Sequence, residues 1–376
     1  MRVYLDNAAT TPIAPEVIDA MIPVLKDGFG NPSSTHFYGR QTKALIETSR
    51  RTVAKILNCQ PSEIIFTSGG TEADNMALYS SVHQMGVKQI ITSSIEHHAV
   101  GHTAEAIEKA GLAKVSLVKI DEKGNVDLAD LERLLQSGEK TLVSLMHANN
   151  EISTLLPLKQ VSELCKRYGA YFHSDTVQTM GHYDFDLKEL GIDFITCAAH
   201  KFHGPKGIGF LYINKSIKCE VLIHGGSQER GLRGGTENVH GIVGLAKAVE
   251  LAYEDVKGHQ EHVQSLKSYM IDELKKLFSD VYFHGETNPE KSLYTVLNVS
   301  FPRTDKSGIL LFTLDLKGVA VSGGSACTSG ATKGSHVLEG IKADTSRPNV
   351  RFSFSRYTTK EEIDFALTQI KSVFEI

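Results

Sequence analysis

No stretch of about 18 consecutive apolar residues, the length that an α-helix needs to span a bilayer, occurs in this sequence. No membrane-spanning helix is therefore expected. The N-terminal residues 1–7 also lack a cationic region followed by an apolar run and a small-residue cleavage site. A secretory signal is therefore not expected, and the chain is predicted to act in the cytoplasm.

Cysteine is scarce, and the five residues are far apart: Cys59, Cys165, Cys197, Cys219 and Cys327. Their number is odd and no two of them form a Cys-x-x-Cys pair, so neither a disulfide framework nor a zinc ribbon is indicated. No metal site is predicted. A reducing compartment suits such cysteines best, which agrees with the cytoplasm.

Neither sign of charge is in large excess. The chain has 40 Lys and Arg residues and 44 Asp and Glu residues, which gives a net charge of −4. With no run of like charge, direct binding of nucleic acid is not expected. Hydrophobic residues make up 41% and charged residues 22% of the 376 positions, as in ordinary globular proteins. A disordered chain is therefore excluded, and the length predicts two or three domains.

Between Ser62 and Lys215, short β-branched runs alternate with longer stretches of helical periodicity. This alternation predicts an α/β fold whose mainly parallel sheet is covered by helices on both faces. Ligands of such sheets bind at the carboxyl ends of the strands, so the polar residues that follow each run are the functional candidates. The strand-like runs are Ile64–Thr67, Gln89–Ser93, Thr141–Met146, Ala170–Ser174, Phe194–Cys197 and Gly209–Ile213.

The last part of the chain has a different pattern. The stretch 239–277 is helical throughout and contains no proline, which predicts one long helix or two. Strand-like runs then follow at 295–301 and 350–355, among further helices. We therefore expect a large domain over residues 15–260 and a smaller α+β domain formed by residues 1–14 and 261–376.

The first motif with chemical potential, Phe66–Asn75 (FTSGGTEADN), lies between an apolar run and a helical stretch. Small residues let the backbone approach a ligand, the free amides of a first helical turn attract an anion, and Thr71 adds a hydroxyl. The motif lacks the Walker lysine and the spacing of a dinucleotide fingerprint. It predicts a phosphate cradle, and the alternative is a plain turn that Thr71 caps.

The second motif is Tyr171–Gln178 (YFHSDTVQ), in which Asp175 ends a buried run. A carboxylate there is costly unless a cation pairs with it, and a protonated heterocyclic nitrogen would serve. Gln178 could donate to a hydroxyl oxygen on the same ring. The alternative is an aspartate that caps the next helix.

In the third motif, Phe194–Gly207 (FITCAAHKFHGPKG), Lys201 follows an apolar run directly and a Gly-Pro turn comes after it. A lysine at the carboxyl end of a strand could form a Schiff base, provided that desolvation or nearby cations lower its pKa. The alternative is a surface lysine whose aliphatic chain packs along the protein while its amine reaches the solvent.

A phosphate cradle, an acid for a ring nitrogen and a Schiff-base lysine together indicate a pyridoxal phosphate (PLP) site. In the order and spacing of its motifs the chain resembles the cysteine desulfurases, a branch of the class V aminotransferases. That resemblance implies an aspartate aminotransferase-like fold of type I, in which helices flank a mainly parallel seven-stranded sheet. The other matching segments are Tyr4–Pro12, Phe29–Ser34, Met146–Ile152, Arg233–Asn238, Ser322–Ser329 and Val350–Ser355.

The resemblance implies a role for several residues around the cofactor ring. Lys201 would hold PLP as a Schiff base and then carry protons. Asp175 would pair with the ring nitrogen, and Gln178 would contact the ring hydroxyl oxygen. His97 would stack on the ring and take part in catalysis. For His97 alone, an exposed histidine at a helix start would be the ordinary interpretation.

The resemblance also implies how the phosphate is held. Gly70, Thr71 and His200 would bind it, and Thr236 would reach it from the neighbouring subunit of a homodimer. Many relatives carry a serine three residues before the lysine, whereas this chain has Ala198 there. The loss of one charge-assisted hydrogen bond costs about 1.5–3 kcal/mol, so Ala198 is expected to weaken the binding of PLP.

On the substrate side, the resemblance places Asn150 and Arg351 on the carboxylate of L-cysteine, with Asn31 nearby. Arg351 would act as a bidentate fork. Cys327 would be the nucleophile, since a cysteine among Gly, Ser and Ala residues is expected to be accessible and reactive.

The reaction implied is the removal of sulfur from L-cysteine, which yields L-alanine and a persulfide on Cys327. The sulfur would pass to an acceptor protein, either an iron–sulfur scaffold or a tRNA-thiolation enzyme. A selenocysteine lyase and a class V aminotransferase that does not use Cys327 stay open as alternatives. A sulfur-transfer scaffold without catalysis is disfavoured because Lys201, Asp175, His97 and Arg351 are all present.

Overall fold

The computed structural model describes residues 1–219, 221–305, 307–323 and 334–376. The predicted nucleophile Cys327 lies outside the described residues. Within them, no helix combines the length and the apolar character that crossing a bilayer requires.

Strands in the described part of the chain are short, and most of them consist of buried β-branched, aromatic or aliphatic residues. Such residues pack well on a pleated sheet that is covered on both faces. The strands are β1 (Val3–Tyr4), β2 (Ile64–Thr67), β3 (Gln89–Thr92), β4 (Lys114–Leu117), β5 (Thr141–Ser144), β6 (Tyr171–Asp175), β7 (Phe194–Ala198), β8 (Gly209–Ile213), β9 (Tyr282–His284), β10 (Val296–Ser300), β11 (Val319–Ala320) and β12 (Asn349–Ser353).

Seven of these strands form the central sheet, in the order β2-β8-β7-β6-β5-β3-β4. The strands from β7 to β4 run parallel to one another, and β8 is antiparallel to both of its neighbours. The predicted mainly parallel, seven-stranded sheet is therefore confirmed. The parallel arrangement brings the carboxyl ends of β6 and β7 to the same edge of the sheet. Asp175 ends β6 there, and Lys201 follows β7 by three residues.

Helices cover both faces of this sheet and also surround the smaller sheet. The predicted helical stretch 239–277 consists of two helices, because Asp255 caps the second one by accepting a hydrogen bond from the Gly258 amide at 2.9 Å. The helices are α1 (Pro15–Asp27), α2 (Phe37–Ile56), α3 (Gly70–His83), α4 (His98–Lys109), α5 (Leu128–Leu135), α6 (Leu158–Tyr168), α7 (Leu187–Leu190), α8 (Val239–Tyr253), α9 (Val256–Leu277), α10 (Leu310–Leu316), α11 (His336–Gly340) and α12 (Lys360–Phe374).

A second apolar core, separate from those around the central sheet, joins the two ends of the chain. The antiparallel sheet β12-β10-β9 packs there with α9 and α12. Strand β1 pairs in parallel with β11, so the first residues of the chain belong to this core. The expected domain boundary at residue 260 falls inside α9 and stays a prediction.

Candidate active site

A cavity of about 270 Å³ opens at the carboxyl ends of β6 and β7. It brings together most of the residues that the sequence predicts for the site, although they come from distant parts of the chain. The predicted residues that line it are Gly70, Thr71, His97, Asn150, Asp175, Gln178, Ala198, His200, Lys201 and Arg351.

Helix α3 begins at one end of this cavity with Gly70. The preceding Gly69 has a φ of +153°, a conformation that residues with a Cβ rarely adopt, and it has no side chain to cap the helix. A Cβ on Gly70 would lie 2.8 Å from Cγ2 of Val177, so a larger residue there would force the Val177 side chain or α3 to move. The uncapped amides of the first turn, beside Thr71, form a cradle for an anion.

Lys201 follows β7 in a single 3₁₀ turn and points towards the N-terminal segment. Its Nζ donates hydrogen bonds to the carbonyl oxygens of Ala8 at 2.6 Å and Ala9 at 2.9 Å. Nε2 of Gln178 donates to the same Ala8 carbonyl at 3.1 Å. The backbone of residues 8 and 9 therefore closes one side of the cavity and orients the lysine.

Asp175 ends β6 and is only 6% exposed. Its Oδ1 accepts a hydrogen bond from the Val177 amide at 2.8 Å. Burial, together with the nearby carboxylate of Asp74, raises the pKa of Asp175. A cation beside this carboxylate would restore its ionised form, and a protonated ring nitrogen is such a cation.

His97 precedes α4, and its Nδ1 accepts a hydrogen bond from the Ala99 amide at 3.2 Å. Burial, assisted by the charge of Lys201, lowers the pKa of His97 although Asp175 opposes this effect. The imidazole is therefore neutral at neutral pH. Since Nδ1 accepts, Nε2 carries the ring hydrogen.

The buried carboxylates of Asp74 and Glu96, in and beside the cavity, were not predicted from the sequence. Asp74 lies on α3 and is 1% exposed; its Oδ1 is 3.4 Å from Nε2 of the buried His173 but has no hydrogen-bond partner within the described part of the chain. Burial raises its pKa to about 7. Glu96 accepts hydrogen bonds from Ser93 Oγ at 2.8 Å and the Met146 amide at 3.0 Å, and burial raises its pKa to about 8. The only sequence signal for Asp74 was its place one turn after Gly70, within the motif Phe66–Asn75.

Arg351 reaches the opposite end of the cavity from β12 and is 1% exposed. Its Nη1 donates to the Asn150 carbonyl at 2.9 Å, and its Nη2 donates to Oδ1 of Asp6 at 2.8 Å. The Nε atom is buried and has no hydrogen-bond partner among the residues that the structure describes. The bonds donated by Nη1 and Nη2 use two of the five N–H groups of the guanidinium, so others are left for a ligand, while Asp6, which the sequence did not single out, fixes the position of the side chain.

The segment that leads to Cys327 starts beside this arginine. The backbones of Ser322 and Arg351 exchange two hydrogen bonds, of 2.7 and 3.3 Å. Residues 322 and 323 therefore leave β11 alongside β12, next to Arg351 of the cavity.

Asn31 and Thr236 do not line the cavity of the single chain. Asn31 lies between α1 and α2, where its Oδ1 accepts a hydrogen bond from the Ser33 amide at 2.9 Å. Thr236 lies in the segment before α8. The roles of these two residues stay predictions. Conversely, the unpredicted His98, Glu151 and His336 do line the cavity.

The family model of aminotransferase class V matches residues 3–365 of the chain. A cysteine desulfurase IscS of Dictyoglomus turgidum is 45% identical over 378 aligned residues, which cover 100% of this chain and 95% of the relative. The chain belongs to the cysteine desulfurases of this class.

Solved structures agree with that assignment. A NifS-like protein superposes with a TM-score of 0.92 and 38% identity over all of both chains. The structure described as SspA in complex with cysteine superposes with a TM-score of 0.80 and 31% identity, over 95% of this chain and all of that one. The predicted type I fold of PLP-dependent enzymes is thereby confirmed, and cysteine desulfurases as a family use PLP.

The donor set of the cavity fits PLP. The anion cradle at Gly70 lines the same cavity as a lysine amine and a buried carboxylate that a cation would stabilise in its ionised form. These three features match the phosphate, the aldehyde carbon and the ring nitrogen of the cofactor. Arg351, whose Nε donates to none of the described residues, lines the same cavity.

Proposed function

We propose that this cysteine desulfurase uses PLP to convert L-cysteine into L-alanine and that it keeps the released sulfur as a persulfide on Cys327. The observation that carries the proposal is the single cavity in which Lys201 Nζ, the Asp175 carboxylate, the first turn of α3 and the Arg351 guanidinium meet. Each is a group that the reaction needs, and each comes from a different element.

The residues around β6 and β7 would hold the cofactor. Lys201 would bind it covalently, Asp175 would pair with its ring nitrogen, Gln178 would contact its hydroxyl oxygen and His97 would cover its face. The phosphate would bind Gly70, Thr71 and His200, with Thr236 of a second subunit. When bound, PLP supplies an electron sink that weakens the bonds at the substrate α-carbon.

Arg351 would bind the substrate carboxylate through its free Nε–H and one of its Nη groups, assisted by Asn150, with Asn31 nearby. Because Asp6 and the Asn150 carbonyl already hold the guanidinium, little side-chain entropy is lost when the substrate arrives. The substrate thiol would then lie towards Ser322, which precedes Cys327 by five positions.

The sulfur transfer balances without a further reactant. The thiolate of Cys327 attacks the sulfur of the substrate, the bond between that sulfur and the substrate carbon breaks, and the carbon receives a proton. The products are L-alanine and a Cys327 persulfide. Lys201 is the residue that would deliver protons on the α-carbon side, with the neutral His97 close to it.

A second copy of the chain and a sulfur acceptor are the partners proposed. Phe29, Phe37 and Tyr38 are 74%, 57% and 48% exposed and cluster beside Asn31, a surface that suits contact with another subunit. The acceptor would be an iron–sulfur scaffold or a tRNA-thiolation enzyme, and the site of action would be the cytoplasm.

The deciding experiment measures alanine formation and protein-bound persulfide when L-cysteine is added to the wild-type chain and to Cys327→Ser. We expect Cys327→Ser to bind PLP and cysteine but to lose alanine release by orders of magnitude, because a serine hydroxyl is essentially un-ionised at neutral pH. Cys59→Ser, which alters a half-buried cysteine outside the cavity, is the matched control.

Three outcomes would contradict the proposal. Near wild-type alanine release by Cys327→Ser would show that Cys327 is not the nucleophile. Amino transfer to a keto acid in place of alanine release would favour the aminotransferase alternative. A strong preference for L-selenocysteine, with little turnover of L-cysteine, would favour the lyase.

A further inference from the structure

His173 is a histidine of the central sheet to which the proposed reaction gives no role. It lies two positions before Asp175 on β6, so the two side chains leave the strand on the same face. Its imidazole is fully buried. A buried polar ring is stable only when its nitrogens are hydrogen-bonded, so its partners indicate what the ring holds in place.

Hydroxyl groups of the two neighbouring strands bind this ring. Nδ1 of His173 is 2.8 Å from Oγ of Ser144 on β5, and Nε2 is 3.1 Å from Oγ1 of Thr196 on β7. Burial lowers the pKa of His173 to about 4, so the ring is neutral at neutral pH and has one donor and one acceptor nitrogen. We call Ser144, His173 and Thr196, which are all fully buried, the buried chain.

The buried chain leads to Asp74 on α3. Nε2 of His173 is 3.4 Å from Oδ1 of Asp74. The hydroxyl of Thr196 also acts on this carboxyl, because it lowers the pKa of Asp74 against the larger, opposite effect of burial. A carboxylate only accepts hydrogen bonds, so the hydrogens on Nε2 and on the Thr196 hydroxyl are best directed towards Asp74, while Nδ1 accepts from Ser144. In that orientation the buried chain favours the ionised form of Asp74.

Asp74 reaches the cavity as well, beside the residue predicted to pair with the ring nitrogen. A carboxylate oxygen of Asp74, one of Asp175 and a ring nitrogen of His97 lie within 4.8 Å of one another. Two buried carboxylates so close together repel each other, and both are ionised only when a cation joins them. In the described part of the chain, the other titratable groups that act on this pair or share its side of the cavity are His173, Glu96, Cys197 and Lys201. The histidines are neutral, so they do not supply that cation.

We propose that the buried chain holds Asp74 as a second carboxylate for the ring nitrogen of bound PLP, beside Asp175. This inference rests on the proposed function, in which the protonated ring nitrogen is the cation that joins the two carboxylates. Burial raises the pKa of Asp74 to about 7 in the chain without PLP. Asp74 therefore has to release a proton when PLP binds at about pH 6, whereas at about pH 8 it is already ionised. His173 and Thr196 are positioning residues, since they act on PLP only through Asp74.

The test is an equilibrium titration of PLP into the full chain freed of the cofactor, at about pH 6 and about pH 8. Asp74→Asn keeps the size of the side chain and removes its charge. We expect this variant to bind PLP about 10- to 100-fold more weakly than wild type at about pH 8. The ratio should be about tenfold smaller at about pH 6, because binding to wild type must there also remove the Asp74 proton.

Thr196→Val should give the opposite dependence on pH. It removes a hydroxyl of the buried chain and keeps the shape of the side chain, so the pKa of Asp74 in the chain without PLP should rise further. The removal of the Asp74 proton then opposes binding more strongly. We expect the affinity for PLP to fall several-fold at about pH 6 and by less at about pH 8.

Two variants outside the cavity are the matched controls. Asp193→Asn alters a half-buried carboxyl whose pKa burial raises to about 6. Thr141→Val removes the hydroxyl of a buried threonine on β5, which donates to the Glu139 carbonyl at 2.9 Å. Neither residue lines the cavity, so both variants should bind PLP as wild type does at both pH values.

The proposal fails if Asp74→Asn binds PLP as tightly as wild type at about pH 8. It also fails if Asp74→Asn or Thr196→Val changes the affinity equally at both pH values, because a merely structural role predicts that result. Alanine release from L-cysteine tests the proposed function separately. If the affinities are as expected but wild type forms no alanine, the desulfurase reaction is refuted and the role of Asp74 stands, whereas a wild type that does not bind PLP refutes both.

Discussion

The two ends of the active-site cavity differ in how far the protein itself compensates the charge of their buried side chains. At the end proposed to hold the cofactor, called the cofactor end, the carboxyls of Asp74 and Asp175 are buried close together, and Oδ1 of Asp74 has no hydrogen-bond partner among the described residues. At the substrate end, the buried guanidinium of Arg351 already pairs with Asp6 at 2.8 Å. The cofactor end therefore depends on its ligand for charge compensation, whereas the substrate end is organised in advance.

This difference implies distinct responses to substitution. Changes at the cofactor end should affect cofactor binding, the pH dependence of stability and all turnover. Changes at the substrate end should leave the cofactor in place and act on the Michaelis constant.

The largest effect is expected from Lys201→Ala. This change removes the amine that forms the covalent bond to PLP, so the visible absorption of the holoenzyme and alanine release should both vanish. Absorption spectra before and after dialysis against a carbonyl-competing amine, together with an alanine assay, measure the two losses. Lys188→Ala, which alters an exposed lysine of α7 outside the cavity, is the control and should keep both properties. A full-intensity band in Lys201→Ala after dialysis would place the covalent bond elsewhere.

Arg351→Lys should affect the substrate end alone. Lysine keeps the positive charge but lacks the planar fork and the free Nε–H, so at least one charged hydrogen bond to the substrate carboxylate is lost. Such a bond contributes about 1.5–3 kcal/mol, which corresponds to a rise in KM of about 10- to 100-fold. Steady-state kinetics with L-cysteine measure the change, and the absorption spectrum should stay that of wild type.

Arg356→Lys is the matched control, since Arg356 donates to the Leu251 carbonyl at 3.0 Å and lies outside the cavity. An unchanged KM in Arg351→Lys would move the carboxylate site to another residue. Loss of PLP in Arg351→Lys would contradict the separation of the two ends.

The cofactor end could be predicted from the sequence better than the substrate end, because its residues lie in local motifs whereas the substrate end depends on contacts between residues far apart in the chain. The cofactor end is built from motifs in which an apolar strand runs directly into its functional residue, as β7 does into Lys201. Such local patterns can be recognised in a single sequence. The strands β2, β6 and β7 accordingly lie where the sequence predicts them. The substrate end depends on the pairing of Asp6 with Arg351, 345 positions apart, which no local pattern encodes.

The surroundings of the strands β4 and β9 and of Asp74 explain why these features could not be predicted from the sequence. Strand β4 lies at the edge of the central sheet, and its residues Lys114 and Leu117 are exposed, so the run lacks the continuous apolar character of its neighbours. Strand β9 has only three residues, none of them fully buried. Asp74 is buried on the sheet-facing side of α3, a helix whose weak amphipathic pattern does not indicate which side is covered.

Asp74→Asn tests the lack of charge compensation at the cofactor end. A carboxyl whose pKa rises from its ordinary value of about 4 to about 7 on folding binds more protons in the folded state. Its contribution to stability is therefore lost as the pH rises through this range. We expect Asp74→Asn to be more favourable relative to wild type at about pH 8 than at about pH 5, by about 1–4 kcal/mol.

Urea unfolding of the chain without PLP at both pH values measures this difference. Asp19→Asn, which alters an exposed carboxylate of α1, should give the same free-energy difference from wild type at both. If Asp74→Asn behaves like Asp19→Asn, Asp74 is ionised in the folded chain at both pH values and the cavity already compensates its charge.

The smallest effect is expected from Ala198→Ser, which adds a hydroxyl at the phosphate side of the cofactor end. The methyl group of Ala198 faces the start of α3, since a Cβ built on Gly70 would lie 3.8 Å from it. A hydroxyl there could donate to the phosphate, and one such bond is worth about 1.5–3 kcal/mol before the cost of burying the hydroxyl is subtracted. We expect PLP to dissociate several-fold more slowly, with KM for L-cysteine unchanged because the substrate end is untouched. Ala199→Ser is the control, because Ala199 is equally buried but faces Gly204 and not the cavity. If both serine variants retain PLP as wild type does, the phosphate does not reach residue 198, and the amides of α3 with Thr71 and His200 hold it without that contact.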